Sequence, residues 1–377
     1  MKTNQPHATW VEVDLDALQN NVRIIRETTQ TPILAVVKAN GYGHGYIPVT
    51  KAAVKAGVKW FGVARHRMAV KMRAEGILCN ILVLGYIPPA RIEEMIQLDV
   101  SLTIWTQNHL KLIKEAAKRT TKSAKVHLLT DTGMGRLGCM PEEALSLARA
   151  ATTAENVHLE GLFSHLARAD ELDTETTNQQ EKIFKQVIQD LTQHDLLPEI
   201  IHLANSAGSL AHPKTHFSLI RPGIAIYGLP PSPDIQLPAG IKPVLSWKSV
   251  LASIKDLPPH HGVSYGHQYI TAKKEQIGVV PVGYADGYRL VPGNSVLING
   301  KKAPVIGRVS MDQCMIQLEG IPNPQIGDEV VLIGKQGEDE ITVDQVALTW
   351  NTINYEVTCG ISSRVPRIFL TNSQADL

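Results

Sequence analysis

Residues 33–45 read Ile-Leu-Ala-Val-Val-Lys-Ala-Asn-Gly-Tyr-Gly-His-Gly. An apolar run of strand length, Ile33–Val37, ends in Lys38 and opens into a turn spaced by glycines, the form of a buried strand that delivers a charged side chain at its carboxyl end. Reading outward, seven similar runs follow at Trp60–Ala64, Ile81–Gly85, Ser101–Trp105, Lys125–Thr130, His158–His165, Glu199–Ala204 and Phe217–Arg221. Stretches of helical period, such as Pro89–Leu98 and Thr174–Thr192, lie between them. Eight alternations in about 200 residues predict an α/β fold with an N-terminal (β/α)8 TIM-type barrel. A doubly wound sheet satisfies the same alternation, because spacing does not show closure.

The proline-rich segment 229–240, LPPSPDIQLPAG, marks a change of character. Beyond it, Val244–Ile254, Gln276–Val282, Ser295–Ile298, Cys314–Leu318 and Glu329–Ile333 are rich in valine and isoleucine and separated by turn signals such as Asn299-Gly300. They predict a C-terminal all-β domain. The expected organisation is a short N-terminal segment, 1–10, that pairs with the β-domain or stands apart; a barrel over 11–238; and a β-domain over 239–377. Val11–Leu15 either pairs with the β-domain or precedes the first barrel helix.

Lys and Arg total 37 against 36 Asp and Glu in 377 residues, with no block of one sign, so neither a nucleic-acid surface nor an acidic tail is indicated. The four cysteines, Cys79, Cys139, Cys314 and Cys359, form no C-x-x-C pair and read as packed free thiols of a reducing compartment. No run of ~18 apolar residues and no secretory leader is evident, which predicts a cytoplasmic protein with no membrane span and a small molecule as its partner. The 14 histidines include no H-E-x-x-H or related spacing, so no metal is expected.

An ammonium at the end of a buried strand is costly unless it is paired, neutral or covalently engaged, and a Schiff base with a cofactor aldehyde is one way to engage it. A lysine that snorkels into its loop is the plainer alternative. After the eighth run comes Arg221-Pro222-Gly223-Ile224-Ala225-Ile226-Tyr227-Gly228. Barrels often bind phosphate after strands 7 and 8, and the amides of Gly223 and Ile224, with the hydroxyl of Ser206, are suited to an anion. Alone, R-P-G is an ordinary turn.

Taken together, the strings A-V-V-K-A-N-G-Y-G-H-G, D-T-G-M-G-R-L-G, H-L-A-N-S, R-P-G-I-A-I-Y-G, V-S-Y-G, V-G-Y-A-D-G-Y, S-M-D-Q and N-T-I-N-Y-E closely resemble the alanine racemase family across about residues 8 to 370. The resemblance implies pyridoxal 5'-phosphate in the barrel and a homodimer in which each active site borrows residues from the partner's β-domain. By this resemblance Lys38 matches the Schiff-base lysine, and Tyr42, Ser206, Gly223, Ile224 and Tyr355 match phosphate contacts. Arg221 matches the residue facing the pyridine nitrogen, His202 the residue supporting that arginine, and His165 and Asn205 other positions of the cofactor pocket. Tyr265 matches the second catalytic base, while Arg136 and Met311 match contacts to the substrate carboxylate. Tyr284, Arg289, Arg308, Ile353 and Asp170 resemble residues around the access channel. Taken singly, His44 or His202 reads more readily as a structural histidine, and Arg65, Arg67, Lys71 and Arg73 read as a solvated basic face.

The implied activity is interconversion of L- and D-alanine by two bases, Lys38 and Tyr265, serving opposite faces of Cα and supplying D-alanine for peptidoglycan. Desolvation lowers a lysine's pKa but raises a tyrosine's, so Tyr265 needs cations nearby; Arg136 and a His165–Arg221 network are candidates. One position departs from the family pattern: Leu129 stands where many members carry a lysine that is commonly carbamylated and holds the substrate-binding arginine. A small anion such as chloride, or failing that a water-bridged carboxylate, beside Arg136 is the expected substitute. The rivals are a serine or broader-range racemase, a decarboxylase of basic amino acids, for which no acidic cluster is evident near the motifs, and a non-catalytic cofactor-binding barrel protein.

Overall fold

The computed structural model describes residues 6–371. The expectation for segment 1–10 falls in part on residues 1–5, which lie outside the described residues. The chain divides into two compact units, one of residues 17–41 and 46–242, the other of residues 1–16, 42–45 and 243–377.

In the first unit, seven parallel strands follow one another in a sheet: β2 Leu34–Val36, β3 Trp60–Val63, β4 Asn80–Val83, β5 Ser101–Ile104, β6 Ala124–Leu129, β7 Val157–Phe163 and β8 Ile200–His202. Both faces of these strands are largely buried, which is why they read as continuous apolar runs. The eighth run closes the ring without forming a ladder strand. Ile220 bridges Ile33 in parallel, the Leu34 amide donates to Ile220 O at 2.8 Å and the Ser218 amide to Ile201 O at 3.1 Å. Phe217 sits at φ 48° and Pro222 lacks an amide donor, so the segment is held to single bridges.

The intervening helices start where local chemistry predicts. Pro89 occupies the first turn of Pro89–Gln97, where its missing N–H costs nothing. Thr106 Oγ1 accepts the His109 amide at 3.1 Å to cap Gln107–Ala117. In the basic cluster Arg65, Arg67 and Lys71 are exposed, as a solvated face requires, but Arg73 departs from it: half-buried, it donates to the carbonyls of Ile77, Cys79, Leu98 and Asp99 at 2.6–2.9 Å, tying its helix to the next two turns.

In the second unit β1 (Thr9–Asp14) joins β9 Leu245–Val250, β10 Ser253–Leu257, β13 Glu275–Val280, β14 Ser295–Ile298, β15 Lys301–Ile306, β16 Cys314–Gln317, β17 Glu329–Gln336 and β19 Arg367–Leu370 in the order β10-β13-β16-β15-β14-β17-β9-β1-β19. The short β18, Asp339–Ile341, pairs with β17, and β11 Gly262–Val263 with β12 Tyr269–Ile270 make a separate ribbon. β1 runs antiparallel to β9 and parallel to β19, so Val11–Asp14 pairs within this unit. The single expected run Val244–Ile254 is two strands, interrupted at Leu251-Ala252. None of the cysteines is in a disulfide; Cys139 and Cys314 are buried, but Cys359 is exposed rather than packed.

Candidate active site

At the carboxyl ends of the barrel strands the backbone after β2 turns left-handed, with Ala39, Asn40 and Gly41 at φ/ψ near 51/50°, 56/42° and 63/46°. Tyr42 continues the turn at φ 52°. Each non-glycine residue there costs about 1–2 kcal/mol, and this strained turn fixes where Lys38 leaves the strand. In the β-rich unit Gly43 follows: a Cβ would lie 2.0 Å from the Thr358 carbonyl, so only glycine fits.

Arg221 is buried, and among the described residues no carboxylate lies beside it. Its Nη1 donates to His202 Nδ1 at 2.9 Å, and its Nη2 to the carbonyls of Ser164 (2.7 Å) and Leu203 (3.1 Å) and to His165 Nδ1 (3.2 Å). Burial, then the charge of Arg136, pushes the guanidinium down to about 9, so it remains a cation at neutral pH. Burial, then the cations Arg221, Arg136 and Lys38, holds His165 well below its usual range, so all three cations act on this imidazole. His202 is likewise depressed by burial and by Arg221.

Asn205 caps the helix Ser206–Ala211 by accepting the Gly208 amide at 2.9 Å. Ser206 Oγ accepts the amides of Gly223 at 2.8 Å and Ala225 at 3.4 Å. The hydroxyl therefore has a proton left to donate. Among the described residues, neither that proton, the Ile224 amide nor the Arg221 Nε–H has an acceptor in the protein. A buried hydroxyl and amide without acceptors suit a phosphate, and an unshared guanidinium N–H suits a ring nitrogen, so these residues fit pyridoxal phosphate.

Arg136 lies on a loop organised by Asp131, whose Oδ1 accepts the amides of Gly133, Met134 and Gly135 at 2.8–3.2 Å and whose Oδ2 accepts that of Arg136 at 3.3 Å. Burial alone would raise the Asp131 carboxyl; these amides hold it below its usual range. Leu129 is buried, and among the described residues no ion pair reaches the Arg136 guanidinium. Gln180, which sequence reasoning missed, fixes the loop after β7, accepting the Ala167 amide at 2.8 Å and donating to His165 O at 3.0 Å. Its neighbours in sequence are polar, so no pattern singles it out.

The β-rich unit carries the remaining candidates. Tyr42 and Tyr355 have ring centroids 6.0 Å apart, and burial, then Tyr355 and Cys359, pushes the Tyr42 phenol well above its usual range, making it a neutral donor. Tyr265 and Met311 are 71% and 53% exposed. Tyr265 follows Ser264 at φ 62°, ψ −173°, a conformation that glycine favours, held by Ser264 Oγ donating to Arg308 O at 2.7 Å. Met311 is set by the Ala285 amide donating to its carbonyl at 3.0 Å. Tyr284 and Ile353 are exposed, Asp170 is half-buried in the barrel unit, and Arg289 pairs with Glu356. Among the described residues no three His, Cys, Asp or Glu side chains group as a metal site, and no helix is long and apolar enough to cross a membrane.

Residues 13–231 match the family described as "Alanine racemase, N-terminal domain" and residues 244–369 the one described as "Alanine racemase, C-terminal domain". The alanine racemase of Symbiobacterium thermophilum is 43% identical over 364 residues, 96% of this chain and 97% of that protein. The crystal structure of alanine racemase from D-cycloserine-producing Streptomyces lavendulae superposes with a TM-score of 0.94 at 36% identity, covering 99% of each chain. That of the Bacillus anthracis alanine racemase with bound L-Ala-P gives 0.92 at 40% identity, covering 98% of this chain and 97% of that one. The chain therefore belongs to the alanine racemase family and is an amino-acid racemase.

Proposed function

We propose that this enzyme interconverts L- and D-alanine with pyridoxal 5'-phosphate, using Lys38 and Tyr265 as opposed bases in a homodimer with shared sites. The observation that carries the reading is Arg221: a buried cation tied to two neutral imidazoles, with its Nε–H unspent. Lys38 would hold the cofactor, with the Ser206 hydroxyl, the Ile224 amide, Tyr42 and Tyr355 on its phosphate and His165, Asn205 and Gly223 shaping the pocket. Pyridoxal phosphate, when bound, takes up the electron pair left at Cα as its proton departs. Arg221 would face the ring nitrogen as a donor that does not surrender its proton, which would favour proton return to Cα over transamination. His165, whose Nδ1 accepts from Arg221, carries its proton on Nε2, where it would be available to the Tyr265 oxygen across the proposed interface. Arg136 and Met311 would orient the substrate carboxylate.

The exposed side chains Tyr265, Tyr284, Met311 and Ile353 on one unit are what an interface with a second copy would cover. The balanced charge and four cysteines that are not in disulfides support a cytoplasmic location, where D-alanine would feed peptidoglycan synthesis. The test is chiral chromatography of the purified, pyridoxal-phosphate-loaded protein incubated with L-alanine and with L-serine. Conversion of L-alanine to an equal mixture, faster than conversion of serine, is expected; no racemisation, or preference for serine, would overturn the reading.

A further inference from the structure

Behind Arg221 and His202 a chain of hydrogen bonds continues into the barrel core, through His127, Glu160 and Ser101, which none of the motifs contains. His202 and His127 are 0% exposed and meet Nε2 to Nδ1 at 2.9 Å. His127 Nε2 then meets Glu160 Oε2 at 3.1 Å, and Ser101 Oγ donates to the same oxygen at 2.5 Å. The direction of every bond is forced. A guanidinium only donates, so His202 Nδ1 must accept and its proton sits on Nε2; His127 Nδ1 must then accept, and its Nε2–H points to the carboxylate.

The backbone is shaped for this contact. The parallel ladder between β6 and β7 slips between Val126 and His127, with Val126 opposite Leu159 but His127 opposite Gly161. Glu160 is the extra residue, and such a bulge re-aims a side chain. Gly161 leaves the room: a Cβ there would lie 2.3 Å from His127 Nδ1. Burial alone would raise the Glu160 carboxyl, but the bonds from His127 and Ser101 hold it below its usual range, so it is an anion.

We propose that Glu160 and His127 are positioning residues for Arg221: the carboxylate is its remote counter-charge, and the two imidazoles transmit a fixed bond direction that orients the guanidinium. The proposal rests on the function proposed above for what Arg221 faces. An unpaired buried cation is strongly unfavourable, and among the described residues no acid touches Arg221 itself. Were the relay reversed, with a donor in place of Glu160, His202 Nδ1–H would meet Arg221 N–H head-on. Glu160→Gln permits that reversal and removes the charge; Glu160→Asp keeps the charge.

Two measurements test this. Neutron diffraction from the deuterated wild-type enzyme should place deuterons on Nε2 of both His127 and His202 and none on either Nδ1; a deuteron on Nδ1 of either ring overturns the relay whatever the enzyme's substrate. In the loaded enzyme, the ratio of transamination to racemisation should rise at least tenfold in Glu160→Gln and less than threefold in Glu160→Asp. A merely structural role would slow both reactions together and leave the ratio unchanged in both variants, and that result overturns the positioning role. Wild-type protein that racemises nothing would overturn the proposed function, while the neutron result would still judge the relay.

Discussion

Arg221 fixes the tautomer of His165: the guanidinium Nη2–H reaches the imidazole Nδ1 at 3.2 Å, so the ring must carry its proton on Nε2. Electrostatic control of the site thus runs through one buried cation.

Replacing that cation should change the outcome of the reaction as well as its rate. In Arg221→Glu a carboxyl able to exchange a proton with a ring nitrogen replaces a guanidinium that is not. Racemisation should fall by about 100-fold or more, while pyruvate formed per racemisation event rises. Quantifying pyruvate beside alanine enantiomers checks this; an unchanged ratio would assign Arg221 a different role.

Acid should destabilise the barrel. His127, His165 and His202 all sit below the ordinary 6.5 because burial disfavours their charged forms. Below about pH 6.5 the unfolded chain binds protons that the folded chain refuses, so stability is lost as pH falls, by about 1.4 kcal/mol per pH unit for each histidine. Urea denaturation between pH 7.5 and 5.5 should show this slope, and His165→Asn should lessen it. A flat profile would contradict the burial of neutral rings.

Leu129 leaves the Arg136 guanidinium without a fixed anion, so chloride is expected to take that place. The KM for alanine should rise several-fold when gluconate replaces chloride. Leu129→Lys, which restores a side chain that can be carbamylated, should remove the dependence. Equal KM in both salts would refute the anion site.

Arg367 secures the far side of the Tyr42 turn, donating to Gly43 O at 3.0 Å and to the carbonyls of Ile361, Ser362 and Val365 at 2.6–2.8 Å. Arg367→Ala should cost about 3 kcal/mol, read by chemical denaturation. Lysine should not rescue it, since an ammonium cannot span four carbonyls in a plane.

What the sequence disclosed follows from which interactions are local. The strand before Lys38 is legible because both its faces are buried and its residues are uniformly apolar, and Arg221 and Ser206 stand in motifs. Leu251-Ala252 continues an apolar run, so the break between β9 and β10 leaves no mark in it. Arg73 looks solvated because its partners are backbone carbonyls, which composition does not report. Glu160 and His127 are 33 residues apart and meet only because a bulge turns one strand, a register event that no periodicity announces.

The central claim, two bases on opposite faces of Cα, is tested most directly by hydrogen exchange in Tyr265→Phe. The phenyl ring keeps the bulk and removes the oxygen, so Lys38 alone should serve one face. In deuterated water the variant should wash out the α-proton of D-alanine but scarcely that of L-alanine, with racemisation down by about 10²–10⁴-fold. Equal exchange of both enantiomers, or racemisation near the wild-type rate, would contradict the account.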